Sequence, residues 1–220
     1  MASEARGRPS MHHDWHSTDY VADWIVHDTA RDPERRPRLQ SMLAMAPFPR
    51  DAAIEVLDVG AGYGAVTEEV LKAFPKARVT LQDYSQPMLG AARQRLASHA
   101  AQLRYVTADL TDPGWAKAVG GPFDLAVSAI ALHNLRDPAA IFTCYRAIHD
   151  LLRPTGWFLD YDLFFAGAEG HIAELRETGF ASVECPWQEP PRAILAAARI
   201  PDIRNAMRSR VCRAPAARRD

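Results

Sequence analysis
From Asp51 to about residue 200, short apolar runs alternate with stretches of helical period. Ile54–Val59, Ala77–Gln82, Leu103–Thr107, Phe123–Ile130 and Trp157–Tyr161 read as strands. Ala65–Phe74, Pro87–Ser98 and Pro138–Leu152 read as the helices between them. Such alternation requires crossover connections, and so predicts an α/β fold with a mainly parallel, doubly wound sheet covered on both faces. Ser85, ahead of Pro87, and Asp137, ahead of Pro138, supply N-cap side chains for two of these helices. Further on, Ile172–Thr178 reads as a helix closed by Gly179. Val183, Cys185 and Trp187 alternate with polar residues, and Pro190-Pro191 turns the chain into the apolar run Ala193–Ala198. Strands joined by so short a loop pair antiparallel.

Upstream, Tyr20, Val21, Trp24 and Ile25 form a narrow apolar stripe from Thr18 onward, interrupted at Asp32-Pro33. A second amphipathic stretch carries Leu39, Met42, Leu43 and Met45 and stops at Pro47 and Pro49. Three regions follow: an N-terminal tail with lid helices (1–50), a central α/β domain (51–200) and an Arg-rich tail (201–220) expected to be loosely held.

Composition narrows the function classes. The 220 residues are 48% hydrophobic, enough for one packed core, and 26 Lys plus Arg stand against 27 Asp plus Glu. A net charge of −1 gives no general case for a nucleic-acid or membrane partner. No apolar run reaches the roughly 18 residues of a spanning helix, and Glu4, Arg6, Arg8 and Pro9 occupy the place of a signal peptide's apolar stretch. Cys144, Cys185 and Cys212 are widely spaced and odd in number, which fits a reducing, cytoplasmic compartment.

The most informative segment is Asp58-Val59-Gly60-Ala61-Gly62-Tyr63-Gly64, at a strand-to-helix junction. Glycines there let the backbone approach a ligand at a helix N-terminus. With Ala65 the run also satisfies G-x-G-x-x-A, so a dinucleotide-binding oxidoreductase is a competing reading. Asp58 bears on the choice. A pyrophosphate about 4 Å from that carboxylate costs roughly 4 kcal/mol at an effective dielectric of 20, whereas a cationic nucleoside gains from it. Asp83 lies 19 residues after Gly64, where an acid accepts from ribose hydroxyls, and Asp109 ends the next strand. Three parallel strands thus end in acids beside a glycine loop.

Together with Asp83-Tyr84-Ser85-Gln86-Pro87-Met88-Leu89, Ala108-Asp109-Leu110, Phe123–Ser128, Ala131–Leu135 and Arg153–Trp157, the glycine segment resembles the class I S-adenosylmethionine-dependent methyltransferase family over about residues 51–200. The resemblance implies a Rossmann-like seven-stranded sheet with a reversed C-terminal hairpin, and S-adenosylmethionine as cofactor. It implies that Asp58, Gly60 and Gly62 line the methionine moiety, that Ala61 between them also binds the cofactor, and that Asp83 holds the ribose. Tyr84 and Met88 would flank the adenine, Asp109 and Leu110 address its edge, and Ser128 lie at the end of the fourth strand. Few residues separate the fifth strand from the last helix, so the acceptor lid is expected from the N-terminal helices.

Methyl transfer chiefly requires alignment, with a base only for a protonated acceptor. His133, after the fourth strand, is the candidate base; the alternative is a histidine that only packs in its loop. Trp15, His16, Tyr20 and Trp24 are the candidate lid and substrate residues, or else simply anchor a helix to the sheet. His12, His13 and His16 lack companion ligands at a rigid spacing, and Asp160 with Asp162 lacks the further ligands of a metal-dependent O-methyltransferase, so no metal is expected. The reading is methyl transfer to oxygen or nitrogen of a small molecule by a monomer or homodimer, with no nucleic acid or membrane partner. An NAD(P)-dependent oxidoreductase and a non-catalytic S-adenosylmethionine-binding protein remain alternatives.

Overall fold
The computed structural model describes residues 13–200. Its strands are β1 (Glu55–Val59), β2 (Arg78–Asp83), β3 (Leu103–Thr107), β4 (Phe123–Ala129), β5 (Leu152–Leu163), β6 (Ser182–Glu189) and β7 (Arg192–Ala198). They form one sheet in the order β3-β2-β1-β4-β5-β7-β6. β1 to β5 are mutually parallel, while β7 runs antiparallel to both β5 and β6. The mainly parallel sheet with a reversed C-terminal pair, expected from the alternating pattern, is the observed one.

The strand period of two divides the side chains between two cores. Val56, Val79, Leu81, Leu125 and Val127 pack on one face with α3 (Ala65–Ala73) and α4 (Gln86–Arg95). Leu57, Val59, Ala126 and Phe158 pack on the other with α5 (Trp115–Val119), α6 (Pro138–Leu151) and α7 (Glu169–Thr178). Local chemistry sets the helix ends. Ser85 Oγ accepts from the Met88 N–H, Asp137 accepts from the Ala139 N–H, and Gly179 closes α7 at φ +116°.

α1 (Thr18–Thr29) and α2 (Asp32–Leu43) precede the sheet. Asp32-Pro33 marks their boundary as expected, with Pro33 in the first turn of α2, where its missing N–H is unneeded. Leu39, Met42 and Leu43 join the α3–α4 core, whereas α1 contributes only Val21 to the buried set of a smaller cluster with Tyr63 and Met88. Among the described residues no helix is long and apolar enough to cross a membrane. The residues 1–12 and the Arg-rich tail lie outside the described residues.

Candidate active site
β1 lies between β2 and β4, so the connections from its carboxyl end diverge and leave a crevice there. The glycine turn occupies this point. Gly60, Gly62 and Gly64 have φ of +65°, +52° and +82°, the left-handed region. A Cβ on Gly60 would lie 2.6 Å from the Ala131 Cβ, so the bare backbone lets the loop after β4 press against the turn. A Cβ on Gly62 would meet nothing within 4 Å: this is the open side of the turn.

The end of β2 suspends that turn. Gln82 Oε1 accepts from the Gly60 N–H at 3.0 Å, and the Gln82 amide donates to the Ala108 carbonyl at 2.6 Å. Asp83 Oδ2 accepts from the Gly62 N–H and Oδ1 from the Ser85 N–H, both at 2.8 Å. Each oxygen keeps a lone pair, so Asp83 can still accept from a diol. Gln82 carried no signal in the sequence, because an amide in a strand becomes a bridge only when three strands lie side by side.

The three strand-end acids differ in environment. Asp58 has no solvent exposure; Thr67 Oγ1 donates to its Oδ2 at 2.6 Å, and its Oδ1 has no partner. Burial pushes its pKa up to about 7, so the fixed charge expected at the bend is only partly present at neutral pH. Burial also raises Asp83. Asp109 is exposed, and its Oδ1 accepts from the Thr111 N–H and hydroxyl. Leu110 is half-buried, and Ser128 is buried with its hydroxyl donating to the Val59 carbonyl at 3.1 Å, tying β4 to β1.

The aromatic residues upstream gather at the same edge. Trp15 meets Tyr20 and Trp24 edge-on at ring separations of 5.6 and 5.1 Å, and Trp24 meets Tyr63 of the glycine turn at 6.0 Å. Buried Met88 joins this cluster, and His16 stands edge-on to half-exposed Tyr84 at 5.2 Å. Burial, then the nearby Asp83 carboxylate, pushes the Tyr84 phenol up to about 12. Ser85 Oγ donates to the Trp15 carbonyl, which ties the segment before α1 to the start of α4. The Tyr63 hydroxyl donates to Asp28 at 2.8 Å, and Arg35 bonds Asp28, Asp32 and Tyr63 together. His13 is occupied by Trp15 and Tyr20.

His133 sits in a short 3₁₀ turn, Leu132–Leu135, two residues beyond Ala131. Its ring Nδ1 lies 2.6 Å from Asp162 Oδ1, and its backbone N–H donates to Oδ2 at 3.0 Å. Asp162, at the end of β5, is buried and also accepts from the Leu163 N–H. The pair borders a cavity of about 170 Å³ between the turn, α6 and the segment after β5. Sequence reasoning singled out both residues but did not join them. Asp160 is wholly buried with neither oxygen partnered, and burial and Asp162 hold its pKa well above the carboxylate range. Among the described residues no group of three or more His, Cys, Asp or Glu side chains could hold a metal. A larger groove of about 450 Å³, lined by Leu43, Phe48 and Phe74, lies at the opposite edge of the sheet, below the amino end of β1.

These features suit an adenosine-bearing sulfonium: an open glycine turn, two carboxylate oxygens of Asp83 at the end of β2, and an unpartnered carboxylate oxygen beneath the turn. Comparison with known proteins agrees. Residues 56–156 match the family described as "Methyltransferase domain". The trans-aconitate 2-methyltransferase of Variovorax paradoxus (strain S110) is 31% identical over 183 residues, covering 77% of this chain and 60% of that protein. The release factor glutamine methyltransferase of Koribacter versatilis (strain Ellin345) is 32% identical over 130 residues, covering 58% and 45%. The chain thus spans less than two thirds of either relative. The N-methyltransferase NodS of Bradyrhizobium japonicum WM9, solved in complex with S-adenosyl-L-homocysteine, superposes with a TM-score of 0.61 at 26% identity, covering 76% of this chain and 87% of that one. Glycine turn, strand order and sequence matches agree: residues 56–156 form a methyltransferase domain of the class I S-adenosylmethionine-dependent family.

Proposed function
We propose that the protein transfers a methyl group to oxygen or nitrogen of a small-molecule acceptor, with Asp58, Gly60, Ala61, Gly62, Asp83, Tyr84, Met88, Asp109, Leu110 and Ser128 forming the donor site. When bound, S-adenosylmethionine supplies a methyl carbon activated by the sulfonium, whose bond to sulfur breaks as the bond to the acceptor forms. This chain's residues then have three tasks. The glycine turn and Asp83 hold the nucleoside. Trp15, His16, Tyr20 and Trp24 cover it and exclude water. His133 Nε2 receives the proton of a protonated acceptor, while Asp162 keeps Nδ1 protonated and the ring oriented.

The observation that carries this reading is the abutment of Gly60 and Ala131, which sets the loop bearing His133 directly against the glycine turn. The small size of the cavity beside His133 and the net charge of −1 support a small acceptor over a nucleic acid or a membrane surface, handled by a monomer or homodimer.

Purified protein incubated with labelled S-adenosylmethionine and a panel of hydroxylated and amino-bearing metabolites should produce S-adenosylhomocysteine. Transfer confined to a protein or RNA substrate would overturn the small-molecule assignment. With the acceptor in hand, His133→Ala should lower kcat roughly 10²–10⁴-fold with donor affinity unchanged. Asp162→Asn should lower kcat less and shift the pH profile; turnover unchanged across pH in His133→Ala removes this residue as the base.

A further inference from the structure
Two imidazoles line the cavity beside the 3₁₀ turn, His133 and His171, and the hydrogen-bond network gives them opposite polarity. Asp162 can only accept, so the proton on His133 sits at Nδ1 and its Nε2 presents a lone pair. His171 Nδ1 lies 2.8 Å from the Tyr145 hydroxyl. Tyr145 is fully buried on α6, and among the described residues this imidazole is the one hydrogen-bond acceptor within its hydroxyl's reach. A buried hydroxyl left undonated is costly, so Tyr145 donates to Nδ1 and His171 carries its proton on Nε2. Burial lowers the pKa of His171, which keeps it in this neutral form.

A third polar group stands at the rim. Arg136 is exposed, and among the described residues no carboxylate lies within ion-pair distance of its guanidinium. Its backbone is held at φ +59°, a left-handed conformation that is unfavourable for a non-glycine residue. Strain of this kind gathers at ligand-holding positions. Between these polar groups the wall is apolar: Leu132, Ile141, Phe164 and Phe165, the last 75% exposed and edge-on to His133 at 6.2 Å. A volume of about 170 Å³ is close to the ~150 Å³ known to accommodate one benzene ring.

We propose that this cavity takes a single-ring acceptor that presents a hydroxyl to His133 Nε2 and, elsewhere on the ring, an anionic group to Arg136 and His171 Nε2–H. The acceptor class is thus a hydroxylated aromatic acid rather than a neutral phenol or an amine. This rests on the methyltransferase reading, and the experiment separates the two.

The probe is 4-hydroxybenzoate, titrated by calorimetry into the protein with and without saturating S-adenosylhomocysteine, beside 4-hydroxybenzyl alcohol, phenol and benzoate. The acid should bind at least tenfold more tightly than the neutral alcohol. Arg136→Gln, an exposed change that leaves the core intact, should erase that preference, and His171→Phe should weaken the acid while sparing the alcohol. Equal affinities, an undiminished preference in Arg136→Gln, or no binding of any ring probe would overturn the proposal. If S-adenosylhomocysteine binds in those cases, the methyltransferase reading stands without it; if the nucleoside fails to bind, that reading falls, and the probe titrations alone decide the cavity.

Discussion
Ionising Asp58 in the folded chain means charging a carboxylate with no solvent contact and one hydroxyl donor, Thr67. Unfolded, the group ionises near its ordinary value of 3.8; folded, it does so at about 7. Between those values the folded chain keeps a proton that the unfolded chain has lost, so stability falls as pH rises through that window and stays lower above it. The full effect is at most about 4 kcal/mol. Asp58→Asn keeps an acceptor for Thr67 and removes the charge. Its melting temperature relative to the unsubstituted protein should therefore be higher at pH 8 than at pH 5, and thermal melts at the two pH values check this. The reverse ordering would mean that Asp58 is ionised and well solvated in the fold. Gly60 and Gly62 make a second pair. Gly60→Ala drives a methyl into the Ala131 Cβ and should cost roughly 2–3 kcal/mol in denaturant melts. Gly62→Ala meets no neighbour, so it should cost only about 1–2 kcal/mol while weakening nucleoside binding; similar stability losses with unchanged binding would count against an open, ligand-facing side at Gly62. Asp58, Asp83 and the glycines were legible because their spacing at strand ends is itself a chemical signature. Gln82 and the His133–Asp162 pair were not, since the latter are 29 residues apart and meet only through the β4–β5 pairing.

At the scale of elements, the glycine turn is held from outside the sheet as well as by the end of β2. α1 and α2 reach it through Tyr63, which Asp28 and Arg35 hold, and burial pushes that phenol up to about 12. Deleting residues 1–30 removes the aromatic cover and Asp28 while leaving α2 and both main cores in place. The truncated chain should lose only the share of the helical circular dichroism signal that α1 contributes and still melt cooperatively, while it loses turnover and binds S-adenosylhomocysteine at least tenfold more weakly. Undiminished nucleoside affinity would reduce the aromatic cluster to a helix anchor. The sequence showed α1 and α2 through their apolar stripes and through Asp32-Pro33. It did not show α5, because Trp115–Val119 spans barely more than one turn and leaves no period to read. β5 begins at Leu152 rather than Trp157, yet the turn read at Arg153–Gly156 is physically present. Its register with β4 jumps from Phe123–Leu152 to Leu125–Trp157, so those four residues bulge out between two paired stretches.

Across the whole molecule, one topological fact organises the site. Parallel β1, β2 and β3 bring Asp58, Asp83 and the approach to Asp109 to one edge, and the divergence of chain paths around β1 leaves room there for a ligand. The C-terminal hairpin closes the far side, inserting β7 beside β5 and backing Asp160 and Asp162 with Leu195 and Ala193. Strand–helix alternation made this architecture readable; the cavity beside His133 was not, because its walls come from four separate segments. The central claim is that the bend after β1 receives an S-adenosyl nucleoside. Isothermal calorimetry with S-adenosylmethionine, S-adenosylhomocysteine and NADPH tests it most directly. One-to-one saturable binding of both S-adenosyl compounds, sharply reduced in Asp83→Ala, with no heat from NADPH, is the predicted result; saturable NADPH binding, or no S-adenosyl binding by folded protein, would contradict it.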